Sequence, residues 1–87
     1  MDALMSPTAQ RVREYIVTNF MYAYPDATLG DNDALLGRGI LDSLGVVELV
    51  AFVEESFGIR VADEDITEAN LGSVAAIAQY VERAQSA

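Results

Sequence analysis

The sequence predicts an all-α fold: a four-helix bundle of three main helices plus one short helix, with a long loop between the first and second helices. Three observations predict it. Apolar residues recur at helical spacing in three windows, 12–20, 49–57 and 74–81. Ser6 and Asp42, both good N-cap residues, stand at the head of the first two windows. No run alternates apolar and polar residues strictly enough for a strand. The 87 residues suffice for one domain, 1–87, with a modest core.

Ser6-Pro7 starts the first helix, with Ser6 as cap and Pro7 in the first turn. Val12, Tyr15, Ile16, Phe20 and Ala23 form its apolar stripe, and Arg11, Arg13, Glu14 and Thr18 lie off it. Pro25 disfavours helical geometry in its predecessor, so the helix is expected to end near Tyr22–Tyr24.

Residues 25–41 carry loop chemistry: Pro25, Gly30, Gly37, Gly39, and the acids and amide of Asp26, Asp31, Asn32 and Asp33. A connection this long needs anchors. Leu29, Leu35, Leu36, Ile40 and Leu41 are expected to pin it to the core, with a short helical turn at Asp33–Leu36. Asp31-Asn32-Asp33 hints at a calcium loop. It lacks the glycine and glutamate that such a loop requires downstream, so capping within the loop is the reading.

Asp42 caps a second helix from Ser43 to about Phe57, with Leu49, Val50, Val53 and Phe57 on its core face and Phe52 near the edge of it. Gly58 is free to adopt the left-handed conformation that ends a helix. Val61–Glu68 reads as one or two helical turns capped by Asp63. The last helix begins near Ser73, carries Val74, Ile77, Ala78 and Val81 as its stripe, and frays at Ala84–Ala87.

Composition excludes much. There is no cysteine or histidine, so disulfides, thiol nucleophiles, imidazole bases and the usual zinc ligands are absent. The missing cysteines fit a reducing cytoplasm. No basic segment followed by an apolar run marks a secretory signal at the N-terminus. No apolar run approaches the ~18 residues that span a bilayer. A net charge of −9 repels nucleic acid and anionic lipid. The charge is uneven: residues 42–68 hold eight acids and one base, Arg60. On charge alone a solvated face is the favoured reading, and a docking surface for basic partners is the sharper one.

Ser43 stands in the first turn of a helix, where backbone N–H groups lack intrahelical partners and the dipole favours a phosphate. Position alone favours a serine that merely shares cap duty with Asp42. The surrounding residues add more. Leu41-Asp42-Ser43-Leu44, then Val46-Val47-Glu48-Leu49-Val50, then Glu54, Glu55 and Phe57, then Asp63-Glu64-Asp65 and Val74 to Tyr80-Val81, resemble the acyl carrier protein family over roughly residues 8–83. The resemblance implies a single carrier domain over 1–87, free-standing and with no catalytic activity of its own. It implies that Ser43 bears a 4'-phosphopantetheine arm from coenzyme A, holding an acyl or aminoacyl cargo as a thioester.

The resemblance also implies roles for neighbours and partners. Asp42 orients the transfer of the arm by a phosphopantetheinyl transferase. Leu44, Val47, Ala51 and Val61 are apolar partner contacts, ringed by Glu48, Glu54 and Glu55, which steer toward basic openings on enzymes; for Leu44 and Val47 simple core packing is the alternative. Those enzymes are an adenylating acyl or aminoacyl ligase and a downstream synthase or transferase. The departures bear on cargo. Gly45 follows Leu44, Arg38 brings a positive charge close to the arm, and Ile40-Leu41 replaces the Gly-Gly of peptidyl carriers. These lean toward a free-standing carrier of a specialised-metabolite pathway, loaded by an adenylating ligase, with a fatty-acid-like pathway left open. Arm and short cargo are expected to fold back between the second and third helices, so that enlarging Val50 or Val53 alters thioester lifetime.

Two rivals stand against the carrier. An enzyme fails because Ser43 has no histidine to activate it and the adjacent Asp42 is no positioned base. An acidic helical adaptor, never modified, is opposed only by the intact Asp42-Ser43-Leu44 motif. Nothing in the chain demands more than a monomer.

Overall fold

The computed structural model describes residues 6–24 and 26–86. Pro25, Ala87 and residues 1–5, on which the helix stop, the final frayed position and the lack of a signal segment partly rest, lie outside the described residues. Among those described, the order is α1 (Pro7–Phe20), α2 (Ser43–Phe57), a 3-10 turn (Asp63–Asp65), α3 (Glu68–Leu71) and α4 (Val74–Ser86), with no strand. The fold is thus the expected helical bundle: three main helices, one short helix and a long first loop.

α1 starts as expected. The Ser6 side chain accepts the Ala9 amide and Pro7 opens the helix. It stops at Phe20, two residues early, because the chain leaves helical geometry at Met21. Ala23 is therefore exposed and outside the helix, while Ala9 and Met21 take core places that the periodicity did not assign. Arg13 is not a solvated residue: it is half-buried, pairs with Asp31 and donates to the Leu29 carbonyl. One arginine so ties α1 to the loop.

The loop is anchored in both side chain and backbone. Leu29, Leu35 and Leu41 are buried, each such burial contributing about 1.5–3 kcal/mol. Leu35 donates its amide to the Gly72 carbonyl, and its own carbonyl accepts from Ile40 and Leu41. The helical turn expected at Asp33–Leu36 lies further on, where Arg38 donates to Ala34 and Gly39 to Leu36. The Asp31–Asp33 acids serve the loop: Asp33 accepts the Gly30 amide and Arg38, and Asp31 pairs with Arg13.

α4 packs against α1, α2 and α3 and forms the hub. All of its expected stripe, Val74, Ile77, Ala78 and Val81, is buried, and Tyr80 joins it. Ser73 accepts the Ala76 amide at its start, and the helix persists to Ser86 instead of fraying at Ala84. The segment before it departs from expectation. Asp63 does not cap a helix; it is the first residue of the 3-10 turn, which has no side-chain cap. Thr67 caps a separate helix, α3, by accepting the Asn70 amide.

Candidate functional site

α2 begins where the loop is held in place by Leu41, which is buried. Asp42, in extended geometry, accepts the Gly45 amide on Oδ1 at 2.8 Å, and its carbonyl accepts the Val46 amide. Capping is thus done by Asp42 alone, and Ser43 is an exposed first residue. The Ser43 and Leu44 amides fall in the first turn, without intrahelical acceptors and at the positive end of the dipole. Gly58 ends the helix at φ 67°, as its sequence position predicts.

From Ser43 an apolar stripe runs down the outer face of α2. Leu44, Val47 and Ala51 share helical spacing and are all exposed, Leu44 by 67% and Val47 by 64%. They are not core residues. Glu48 and Glu55, also exposed, flank them. Val61 does not belong to this surface. It is buried, because the chain after Gly58 folds back onto the core. Glu54 is half-buried and its Oε2 accepts the Val61 amide at 2.9 Å, so its carboxylate is committed inside the fold.

The opposite edge of α2 carries aromatic packing. Phe52 stacks on Tyr15 with ring centres 4.0 Å apart, and Arg11 lies over Phe57 at 5.3 Å. Burial, then the nearby Glu48 charge, raises the Tyr15 phenol above its usual range.

Between α2 and α3 lies a cavity of about 80 Å³, lined chiefly by Leu36, Val46, Ile66 and Leu71. Leu36 and Ile66 are partly exposed beside it, a pairing the sequence reading missed. Leu36, expected to pin the loop to the core, is instead 47% exposed here, and Ile66 is a large apolar residue that had no place on a helical stripe. Val50 and Val53 do not line this cavity; Val53 is fully buried in the core. Enlarging Val53 would therefore disturb the fold itself. Arg38 is not a free charge beside Ser43, since it is held by Asp33 at 2.8 Å and the Thr28 carbonyl at 2.9 Å.

Among the described residues no helix is long and apolar enough to cross a membrane, and no cluster of side chains could hold a metal ion.

Comparison with known proteins decides the family. A family described as "Phosphopantetheine attachment site" matches residues 10–81. The chain is also 32% identical, over 78 residues, to an acyl carrier protein of Zymomonas mobilis, an alignment covering 90% of this chain and 95% of that one. The chain belongs to the acyl carrier protein family. It is a carrier protein, built on the domain to which 4'-phosphopantetheine is attached in that family.

The residues present fit that group. An exposed hydroxyl stands on the first turn of α2, and the cap acid is already engaged with Gly45. Gly39, at φ 75° on the preceding loop, leaves open space where a side chain would stand. When bound, the group supplies a thiol on a long flexible linker.

Proposed function

We propose that Ser43 is the attachment residue and that this carrier presents an acyl or aminoacyl thioester to a sequence of enzymes. The observation that carries the reading is the exposed Ser43 at the head of α2, relieved of capping by Asp42. Loading forms a phosphodiester: Ser43 Oγ attacks the β-phosphorus of coenzyme A, the pyrophosphate linkage breaks, and adenosine 3',5'-bisphosphate leaves. The hydroxyl proton passes to a base of the phosphopantetheinyl transferase. Asp42, fixed by its bond to Gly45, orients this first turn.

An adenylating ligase then supplies the cargo, and a downstream synthase or transferase takes it, in a specialised-metabolite or fatty-acid-like pathway. Leu44, Val47 and Ala51 form the apolar contact for these enzymes, and Glu48 and Glu55 form its acidic rim. The carrier performs no catalysis itself. A cytoplasmic location and a monomeric state accord with this role.

Intact-mass measurement after incubation with coenzyme A and a promiscuous transferase tests the proposal. One added phosphopantetheinyl group is expected, absent in Ser43→Ala. An unmodified wild-type chain would turn the reading to the acidic adaptor.

A further inference from the structure

We infer that the hydrogen bond between Tyr80 and Asp65 is a latch on the cavity between α2 and α3, and that α3 opens by swinging about Gly72; this rests on cargo from Ser43 lodging in that cavity. Leu36 and Ile66 both line the cavity and stand 47% and 39% exposed. Large apolar side chains left open at the rim of an apolar cavity mark where an apolar chain enters.

The walls of the cavity differ in how firmly they are held. α2 has 15 residues and is capped at both ends, by Asp42 and by Gly58. Leu36 follows Leu35, which is fully buried and has both its amide and its carbonyl engaged. α3 has 4 residues, far short of the roughly 12–15 that an isolated helix needs to persist. α3 is therefore the wall that yields.

Its two ends are held unequally. At the C-terminal end Leu71 and Gly72 are buried, and the Gly72 carbonyl accepts the Leu35 amide at 2.9 Å. Ala75 then donates its amide to the Asp31 carbonyl at 2.9 Å, which fixes the start of α4 to the same loop. A Cβ on Gly72 would stand 2.4 Å from the Glu68 carbonyl oxygen, so glycine is what lets the chain turn here from α3 into α4. The N-terminal end is looser. The 3-10 turn before it buries no residue. Tyr80, buried on α4, reaches this end and donates its hydroxyl to Asp65 Oδ2 at 2.8 Å. Arg83 adds a longer, exposed contact to Asn70 at 3.4 Å. Asp65 carries the head of α3 with it, because its carbonyl accepts the Thr67 amide and Asn70 Nδ2, each at 2.9 Å, and Thr67 caps the helix. A firm end at Gly72 and a side-chain tie at Asp65 make a hinged lid. With the tie made, Ile66 is kept at the cavity; with it broken, Ile66 and Thr67 move away from Leu36 and Val46.

Two variants break the latch: Tyr80→Phe keeps the ring and removes the hydroxyl, and Asp65→Ala removes the acceptor. Ser6→Ala is the control, since it loses a cap bond of comparable strength at the head of α1. In amide hydrogen exchange of the unloaded protein, both latch variants are expected to exchange faster at Thr67, Asn70 and Leu71, by about two- to tenfold beyond any change at Ile16 and Leu49. The Leu35 amide, bonded at the pivot, should change no more than those core amides. A promiscuous transferase then places a butyryl-bearing arm from butyryl-coenzyme A, with loading confirmed by mass, and hydroxylamine cleaves the thioester. Cleavage is expected to quicken by a similar factor in the latch variants and to stay at the wild-type rate in Ser6→Ala. Exchange in α3 that rises no more than at Ile16, or cleavage equally fast in latch and control variants, overturns the latch. Loss of protection at Leu35 along with α3 overturns Gly72 as the pivot. A chain that takes no arm overturns the carrier reading and the cargo role with it, while exchange in the unloaded chain decides the latch separately.

Discussion

The Glu54 carboxylate accepts the main-chain N–H of Val61 at 2.9 Å. This bond joins the last turn of α2 to the segment that folds back beneath it, seven residues on. Val61 is buried, so its amide has little access to water when that acceptor is removed. Glu54→Ala is expected to lower stability by about 1–2 kcal/mol, read as a shift of the urea midpoint with an unchanged slope. Glu54→Gln keeps an acceptor oxygen and should lose less. A Glu54→Ala protein as stable as wild type would show that the bond contributes nothing.

Tyr80 gives stability a dependence on alkaline pH. Its hydroxyl donates to Asp65 Oδ2 at 2.8 Å, linking α4 to the 3-10 turn. Burial first, and then this hydrogen bond, raise the Tyr80 phenol above its ordinary value. A phenol that holds its proton more tightly when folded contributes stability that is complete below the unfolded value, near 10. That contribution is lost as pH rises through the folded value. Denaturant midpoints are thus expected to fall above about pH 10. Tyr80→Phe should be less stable at neutral pH by about 0.5–1.5 kcal/mol and show a shallower alkaline decline. Some decline should remain, because the Tyr15 phenol is raised in the same direction. Equal alkaline slopes in the two proteins would remove Tyr80 from the account.

The sequence carried the helices better than the connections, for a physical reason. α2 and α4 could be read because caps, apolar stripes and stop signals all agree locally: Asp42, Leu49, Val53 and Gly58 in one, Val74, Ile77 and Val81 in the other. The place of Ser43 at the head of α2 was legible because a helix start is a local pattern. Where tertiary partners decide, the reading failed. Nothing near Arg13 announces that it will reach a loop eighteen residues away. Glu54 and Glu55 look alike in sequence, yet one is committed to Val61 and the other is exposed. Val61 was given to the partner surface by the family resemblance, whereas the fold-back after Gly58 buries it. Leu44 and Val47 were ambiguous between core and surface, since an apolar face of α2 extends nearly all round the helix.

That last ambiguity, resolved in favour of exposure, separates two kinds of mutation on α2. Leu44 and Val47 bury little within the monomer, so Leu44→Ala and Val47→Ala should leave stability within about 0.5 kcal/mol of wild type. If they are partner contacts, each loses apolar area in a complex, and loading by the transferase should weaken several-fold through KM. Glu48→Lys acts differently. An exposed charge contributes about 0–1 kcal/mol to a contact and works over distances set by the Debye length, about 10 Å at 0.1 M salt and about 3 Å at 1 M. Its loading rate is therefore expected to fall at low salt and to approach the wild-type rate as salt rises, whereas the deficit of Val47→Ala persists. Steady-state loading at two ionic strengths distinguishes them. Deficits with the same salt dependence in both variants would mean that the apolar stripe and its acidic rim do not play separate parts.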